Sequence, residues 1–250
     1  ATLPLGVDGT RDVVRGEAGT SVVLTLLRNG ETQDVEVVRA SIETAVAECE
    51  LLDGDIGYVT ILNFDERCAS ETIACVQQML DAGAKALLFD VRFNGGGYQE
   101  ELVKVLDYLL PEGIVFHSVD YAGEEETEYS DAACVDVPMA VLVNEDSYSA
   151  AEYFAAALQE YGVATIVGSK TVGKGNFQIG FPLSDGSFLN ISTGKYFTPD
   201  GKSLTDVGIT PDVELELSDE DYARLYYSQL AQEDDVQLQA ALAALREKIA

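Results

Sequence analysis

The stretch IGYVTILNFDERCASETIACVQQMLDAGAKALLFDVR, residues 56–92, decides the fold. Its opening, IGYVTILNF, is rich in β-branched and aromatic residues and reads as a strand. Residues 66–83 then follow a helical period that stops at Gly83, the residue type best suited to a left-handed C-terminal cap. KALLFDVR (85–92) is a nearly continuous apolar run, the pattern of a strand buried on both faces. Strand, helix and strand in that order predict a right-handed parallel crossover and an α/β core.

The alternation continues downstream: a helix at about 98–110, a strand at 113–118, a strand at 139–144, a helix at 149–160 and a strand at 163–168. It then breaks. Residues 176–197 read as paired strands around Ser184-Asp185-Gly186, and the segment from Ser218 reads as one or two helices. Residues 119–136 are acidic and turn-rich without a clear period, and read as an excursion from the core. Upstream, residues 20–39 are two alternating strands joined at Asn29-Gly30, a strong hairpin signal.

Composition narrows the function. The 250 residues are 47% hydrophobic and 24% charged, a globular balance, with 44 acidic against 15 basic residues and a formal charge of −29. That charge disfavours nucleic acid and anionic membrane surfaces as partners and leaves peptides open. No apolar run reaches the roughly 20 residues of a membrane span, and ATLPLGVDGT lacks the basic-then-apolar order of a signal peptide. Membrane anchoring is therefore expected only through a segment preceding residue 1. The four cysteines show no metal spacing; Cys68 and Cys75, seven apart on a helix, lie about 10 Å apart, beyond disulfide reach, while a Cys49–Cys134 pair stays open.

Two motifs mislead. GSKTVGKGN (168–176) lacks only the final Ser or Thr of a phosphate-binding P-loop, but Gly175 stands in that place and NFQIGFPL continues as a strand where a helix is needed. STGK (192–195) matches a Ser-x-x-Lys pattern that works on a helix, whereas on a strand Ser192 and Lys195 face opposite ways. The single histidine, His117, lies on an apolar strand and reads as structural.

A better nucleophile lies in VLVNEDSYSAAEYFAAALQE (141–160), where a buried strand runs through a short loop into an Ala-rich helix. Ser149 falls at the junction, beside unpaired helical amides; the competing reading is that Ser147 or Ser149 only caps the helix. In FDVRFNGGGYQE (89–100) the amide of Gly96 can form half of an oxyanion hole and that of Ala150 the other half, or the glycines can simply make a tight turn. Asp90 and Arg92 read as a structural ion pair holding that loop.

Together, FDVRFNGGG, VLVNEDSYSAAE, VGSKTVGKGNFQ, PLSDGSFLNISTGKYFTPDGKSL and VGITPDVEL closely resemble the carboxyl-terminal processing peptidases, the tail-specific serine proteases of peptidase family S41. The resemblance covers residues 54–216 and extends weakly upstream. It implies Ser149 as nucleophile, Lys174 as general base and Gln178 as the residue that orients the lysine, with no metal or cofactor. The implied fold is a crotonase/ClpP-like core of repeated ββα units at 41–217, preceded at 1–40 by the C-terminal portion of a PDZ-like domain and followed by a helical segment at 218–250. About 40 residues are short of a whole PDZ domain, whose carboxylate-binding loop belongs to its first half. The chain also departs from the family pattern in having Tyr148 where Ala is usual, Ala151 where Ser is frequent, and Gly95 in place of a frequent proline.

The implied activity is endopeptidase cleavage of protein or peptide substrates near their C-termini through an acyl-enzyme, in an extracytoplasmic setting, with a homo-oligomer left open. The alternatives are a catalytically inactive peptide-binding relative and a crotonase-like acyl-CoA enzyme. A lysine acts as a base only without its proton, so the role calls for apolar neighbours, such as Val172 and Phe177, and few carboxylates near Lys174.

Overall fold

In the computed structural model, which describes residues 3–249, Asn29 and Gly30 turn the chain with φ of 54° and 85°. Positive φ at both positions suits the twist of a two-residue hairpin. Strands β1 (Ser21–Arg28) and β2 (Glu31–Val38) pair antiparallel from Ser21↔Val38 to Arg28↔Glu31. A helix that the sequence reading lacks, α1 (Gly6–Val14), precedes them. Arg39 fastens this unit, Ala1–Thr44, by donating from Nε to the Val14 carbonyl at 2.8 Å and from Nη1 to the Ser21 carbonyl at 3.0 Å.

The second unit, Ala45–Ala250, is built on a six-stranded sheet. Its strands in chain order are β3 (Ala47–Leu52), β4 (Ile56–Ile61), β5 (Ala86–Asp90), β8 (Met139–Val143), β9 (Ala164–Gly168) and β12 (Val213–Glu214). In space they run β12-β9-β8-β5-β4-β3, parallel throughout except for β3, which is antiparallel to β4. Helices α2 (Cys68–Asp81), α3 (Gln99–Leu109) and α4 (Ala150–Glu160) follow β4, β5 and β8. The parallel crossover expected for 56–92 is therefore present.

Alternation along β5 and β8 splits the core. Leu87, Phe89, Val141 and Val143 pack with residues of α2, α3 and α4, whereas Ala86, Leu88, Ala140 and Leu142 pack with Leu238, Ala241, Leu242 and Leu245 of α6 (Val236–Ile249). All five residues of each strand are buried, which is why their sequences are apolar except for Asp90 at the end of β5.

A second, four-stranded antiparallel sheet runs β10-β11-β6-β7, from β6 (Gly113–Asp120), β7 (Glu125–Ser130), β10 (Asn176–Pro182) and β11 (Phe188–Phe197). Phe116 of β6, Tyr153 of α4 and Tyr196 of β11 stack with centroids 5.2 to 6.1 Å apart and fix this sheet to the helix that follows β8. The region 119–136 is thus not wholly an excursion, because β7 pairs with β6; EETEYS is acidic and mostly solvent-facing, so it carries no apolar period.

Arg92 is buried between two carboxylates, donating to Asp90 at 2.7 Å and to Asp235 at 2.8 Å. Tyr58 donates to Asp90 at 2.6 Å, and Arg92 also reaches Gln237 at 3.1 Å. The structural ion pair expected at 90 and 92 therefore extends across the sheet to the start of α6. The four cysteines are free; Cys75 neighbours Cys49 rather than Cys134, and burial, then Cys49, push its thiol up to about 12. No helix among the described residues is long and apolar enough to cross a membrane.

Candidate active site

Parallel strands β5 and β8 are neighbours, so the loops leaving their C-terminal ends meet, the usual place for a site in such a sheet. The loop after β5 carries Gly95, Gly96 and Gly97; the loop after β8 carries Ser147, Tyr148 and Ser149. Asn144 joins the two by accepting the Phe93 amide at 2.9 Å on its Oδ1. Ser147 is fully buried, donates to the Val91 carbonyl at 2.7 Å and accepts the Asn144 amide at 3.0 Å, which makes it a structural tie.

Ser149 occupies the N-cap position of α4 with φ of 61° and ψ of −122°. A non-glycine residue there costs of order 1–3 kcal/mol and holds its side chain out of a sharp strand-to-helix turn. Gly96 lies beneath it: a Cβ on Gly96 would come 2.7 Å from Ser149 Cβ and 2.9 Å from the Ala150 nitrogen. A side chain at 96 would therefore collide with Ser149 Cβ and with the backbone on either side of it.

The two amides named for the oxyanion hole differ. Ala150, at the first turn of α4, has no hydrogen-bond partner for its N–H among the described residues. The Gly96 N–H is engaged, donating to Asn94 Oδ1 at 2.8 Å, while Asn94 Nδ2 donates to the Ile61 carbonyl at 2.7 Å. Beside these amides lies a cavity of about 150 Å³ that Ser149 lines together with Leu102, Phe116, Tyr153, Phe177 and Tyr196.

Lys174 comes from the loop between β9 and β10. No helix follows these glycines, since β10 begins at Asn176, and this removes the P-loop reading structurally as well. Glu152, fully buried on α4, brings the lysine loop to the serine. Its Oε2 accepts the Ser149 amide at 2.9 Å and the Lys174 amide at 2.9 Å, while its Oε1 accepts the Gly173 amide and the Thr171 hydroxyl, each at 2.6 Å. Ser149-x-x-Glu152 is the sequence pattern of a capping box, the signal that finds this residue. Tyr196 adds a second link by donating to the Lys174 carbonyl; burial raises its phenol, and a hydrogen bond with the Ser149 side chain opposes that rise.

The side chains of the expected dyad are less settled than their backbones. Among the described residues no hydrogen bond joins Lys174 Nζ to Ser149 and no carboxylate pairs with it; the ammonium stands 5.6 Å from the centroid of the Tyr148 ring. The apolar burial expected from Val172 is absent, because Val172 is 53% exposed, turned outward on a loop whose inner contacts are polar. Gln178 is exposed and donates from Nε2 to Ser192 Oγ at 3.5 Å instead of touching Lys174. A β-bulge between Phe177 and Gln178 shifts the register there.

A third element braces both loops. Phe93, itself at φ of 60°, packs edge-on against Tyr222 and Tyr226 of α5 (Asp219–Tyr226), and Tyr222 donates to Asp146 in the serine loop. Tyr222 and Tyr196 act between segments far apart in sequence, beyond the reach of local patterns.

A model of peptidase family S41 matches residues 55–215. The carboxy-terminal-processing protease of Bartonella bacilliformis is 34% identical over 217 residues, covering 82% of this chain and 49% of that protein. The carboxy-terminal processing protease of Bacillus subtilis is 34% identical over 218 residues, covering 86% of this chain and 46% of its own. Among solved structures, a photosystem II D1 C-terminal processing protease superposes with a TM-score of 0.62 at 28% identity, over 80% of this chain and 57% of that one. The chain spans about half the length of the curated relatives it matches.

Proposed function

The chain belongs to peptidase family S41, and on that premise we propose that it is a serine endopeptidase that cleaves protein substrates near their C-termini through an acyl-enzyme. The observation that carries this reading is Ser149 held at a strained helix start, beside the free Ala150 amide and an apolar cavity. In the proposed cycle Lys174 first gives up its proton to solvent, and Ser149 Oγ attacks the scissile carbonyl carbon as the hydroxyl proton passes to the neutral Lys174 Nζ. The resulting oxyanion takes the Ala150 N–H, and the Gly96 N–H once Asn94 releases it. Lys174 then gives the proton to the leaving amine as the C–N bond breaks, and water, deprotonated in turn, releases the acyl group.

For this cycle Lys174 Nζ comes within hydrogen-bond reach of Ser149 Oγ, and Gln178 Oε1, not used in the bond to Ser192, accepts from the lysine to orient it. Absence of a carboxylate partner on Lys174 supports the role, since an ion pair would hold the proton. The aromatic cavity fits an apolar substrate side chain, and apolar burial there supplies binding without charge. The finer architecture belongs to the same proposal: a PDZ-like portion at 1–40, a core of repeated ββα units at 41–217 and a helical segment at 218–250. So do an extracytoplasmic setting, protein or peptide partners, and the exclusion of nucleic acid by a charge of −29.

The test compares wild type with Ser149→Ala on casein and on a peptide with a free C-terminal tail, alongside labelling by a peptidyl phosphonate. The expected result is a phosphonate adduct at Ser149 and a loss of about 10⁴- to 10⁶-fold in kcat for the variant. Equal activity in both proteins overturns the assignment of Ser149. Peptide binding without turnover or adduct points to an inactive relative, and thioester hydrolysis that survives Ser149→Ala points to the acyl-CoA reading.

A further inference from the structure

Tyr148 precedes the nucleophile directly, and its ring face is where the Lys174 ammonium stands, 5.6 Å from the centroid. That distance lies within the range where the negative face of an aromatic ring attracts a cation. Among the described residues no carboxylate and no Ser149 hydroxyl competes for the ammonium.

The ring reaches this place across Gly95. A Cβ on residue 95 would stand 2.8 Å from the phenol oxygen of Tyr148 and 3.0 Å from its Cζ, so any side chain there forces the ring aside. Glycine at 95 thus leaves the ring the space it occupies, and one contact links Gly95 to Tyr148. The backbone of Tyr148 is fixed on both sides, its N–H donating to the Asn94 carbonyl at 3.1 Å and its carbonyl accepting the Ala151 amide at 3.3 Å. The side chain, 38% exposed, is the part that can move.

We propose that Tyr148 is a positioning residue for Lys174: its ring holds the ammonium aside from Ser149 in the resting site, and Gly95 supplies the space the ring needs. This rests on the reading of Ser149 and Lys174 as nucleophile and base. An exposed cation–ring contact of ordinary strength lowers the fraction of molecules with Lys174 at Ser149 by about two- to fivefold.

Tyr148→Leu removes the ring and keeps apolar bulk, Tyr148→Phe keeps the ring, and Gly95→Ala displaces it. The rate of Ser149 inactivation by a peptidyl phosphonate should rise about two- to fivefold in Tyr148→Leu and stay nearer wild type in Tyr148→Phe. In peptide turnover kcat should rise and KM hold. Reductive ¹³C-methylation gives a direct signature: the Lys174 resonance, assigned by its loss in Lys174→Arg, should show a ring-current shift in wild type and Tyr148→Phe that vanishes in Tyr148→Leu and Gly95→Ala. Adding Gly95→Ala to Tyr148→Leu should change nothing further.

An unchanged or slower inactivation rate in Tyr148→Leu, a shift that survives it, or an effect on KM alone overturns the proposal. Lys174→Ala separates the two levels. If that variant still reacts with the phosphonate, the dyad itself falls; if it is unreactive while Tyr148→Leu matches wild type, only the role of Tyr148 falls.

Discussion

Ser149 and Lys174 reach the site from structurally opposite surroundings. Ser149 follows β8, whose five residues are all buried, and its loop is tied by Asn144, Ser147 and Glu152. Lys174 leads into β10, where Gln178 through Pro182 are all exposed, as are Phe188 through Ile191 on β11. The serine half is therefore set by the core, while the lysine loop is held by backbone ties to Glu152 and Tyr196 and by the Asp206 amide on the Gly173 carbonyl at 2.8 Å, ahead of strands that face solvent. Burial is concentrated around Ser149, and exposure on the strands that follow Lys174.

The largest expected effect comes from the buried charges beneath the serine half. Arg92→Leu strands the carboxylates of Asp90 and Asp235, and urea unfolding should show a loss of about 3–5 kcal/mol. A loss below ~1 kcal/mol would mean that the glycine loop is held by packing alone.

Next, Leu142→Ala in β8 opens a cavity and should cost about 2–5 kcal/mol, whereas Leu189→Ala, at a site 48% exposed on β11, should stay within ~0.5 kcal/mol. Equal costs would erase the contrast between the two sheets. Amide hydrogen exchange offers the same comparison without mutation, with β8 exchanging at the global limit and β10 faster.

Glu152→Gln sharpens the contrast at its junction, because an amide replaces one of the two oxygens that together accept four hydrogen bonds from both halves. A misplacement of about 1 Å can cost around 10²-fold in rate, so a fall of that order in kcat with little change in KM is expected. Full activity would show that the lysine loop positions itself.

The smallest effect is on pH dependence. Glu71 accepts the Val46 amide at 2.6 Å, and that bond, aided by the Ala47 amide and Arg67, holds its carboxyl below the ordinary range against partial burial. A depressed folded value contributes stability above the unfolded value near 4.3 and loses it as pH falls through the folded one. Glu71→Gln should therefore lose less stability than wild type between about pH 5 and pH 3. Parallel acid limbs for the two proteins would remove Glu71 from the account.

How much of this is legible in the sequence depends on what each residue touches. KALLFDVR and MAVLVN announce buried strands because both faces of each strand meet helices. EETEYS does not, since β7 turns acidic residues to water, and AECELL hides β3 among glutamates at an edge. Ser149 stands out because a strand-to-helix junction is a local pattern, and Lys174 because a motif frames it. Asn94, Tyr196 and Tyr222 stay invisible, since their partners lie on other elements. Val172 and Gln178 show the limit of proximity in sequence: neighbours of Lys174 along the chain need not surround its amine.

The left-handed backbone of Ser149 sets folding and chemistry against each other at one position. Glycine would relax that turn, while alanine would keep its strain, so Ser149→Gly should melt at a higher temperature than Ser149→Ala although both lack the hydroxyl. The proposed role of the hydroxyl and the ease of the fold thus make opposite demands on the residue at this one turn.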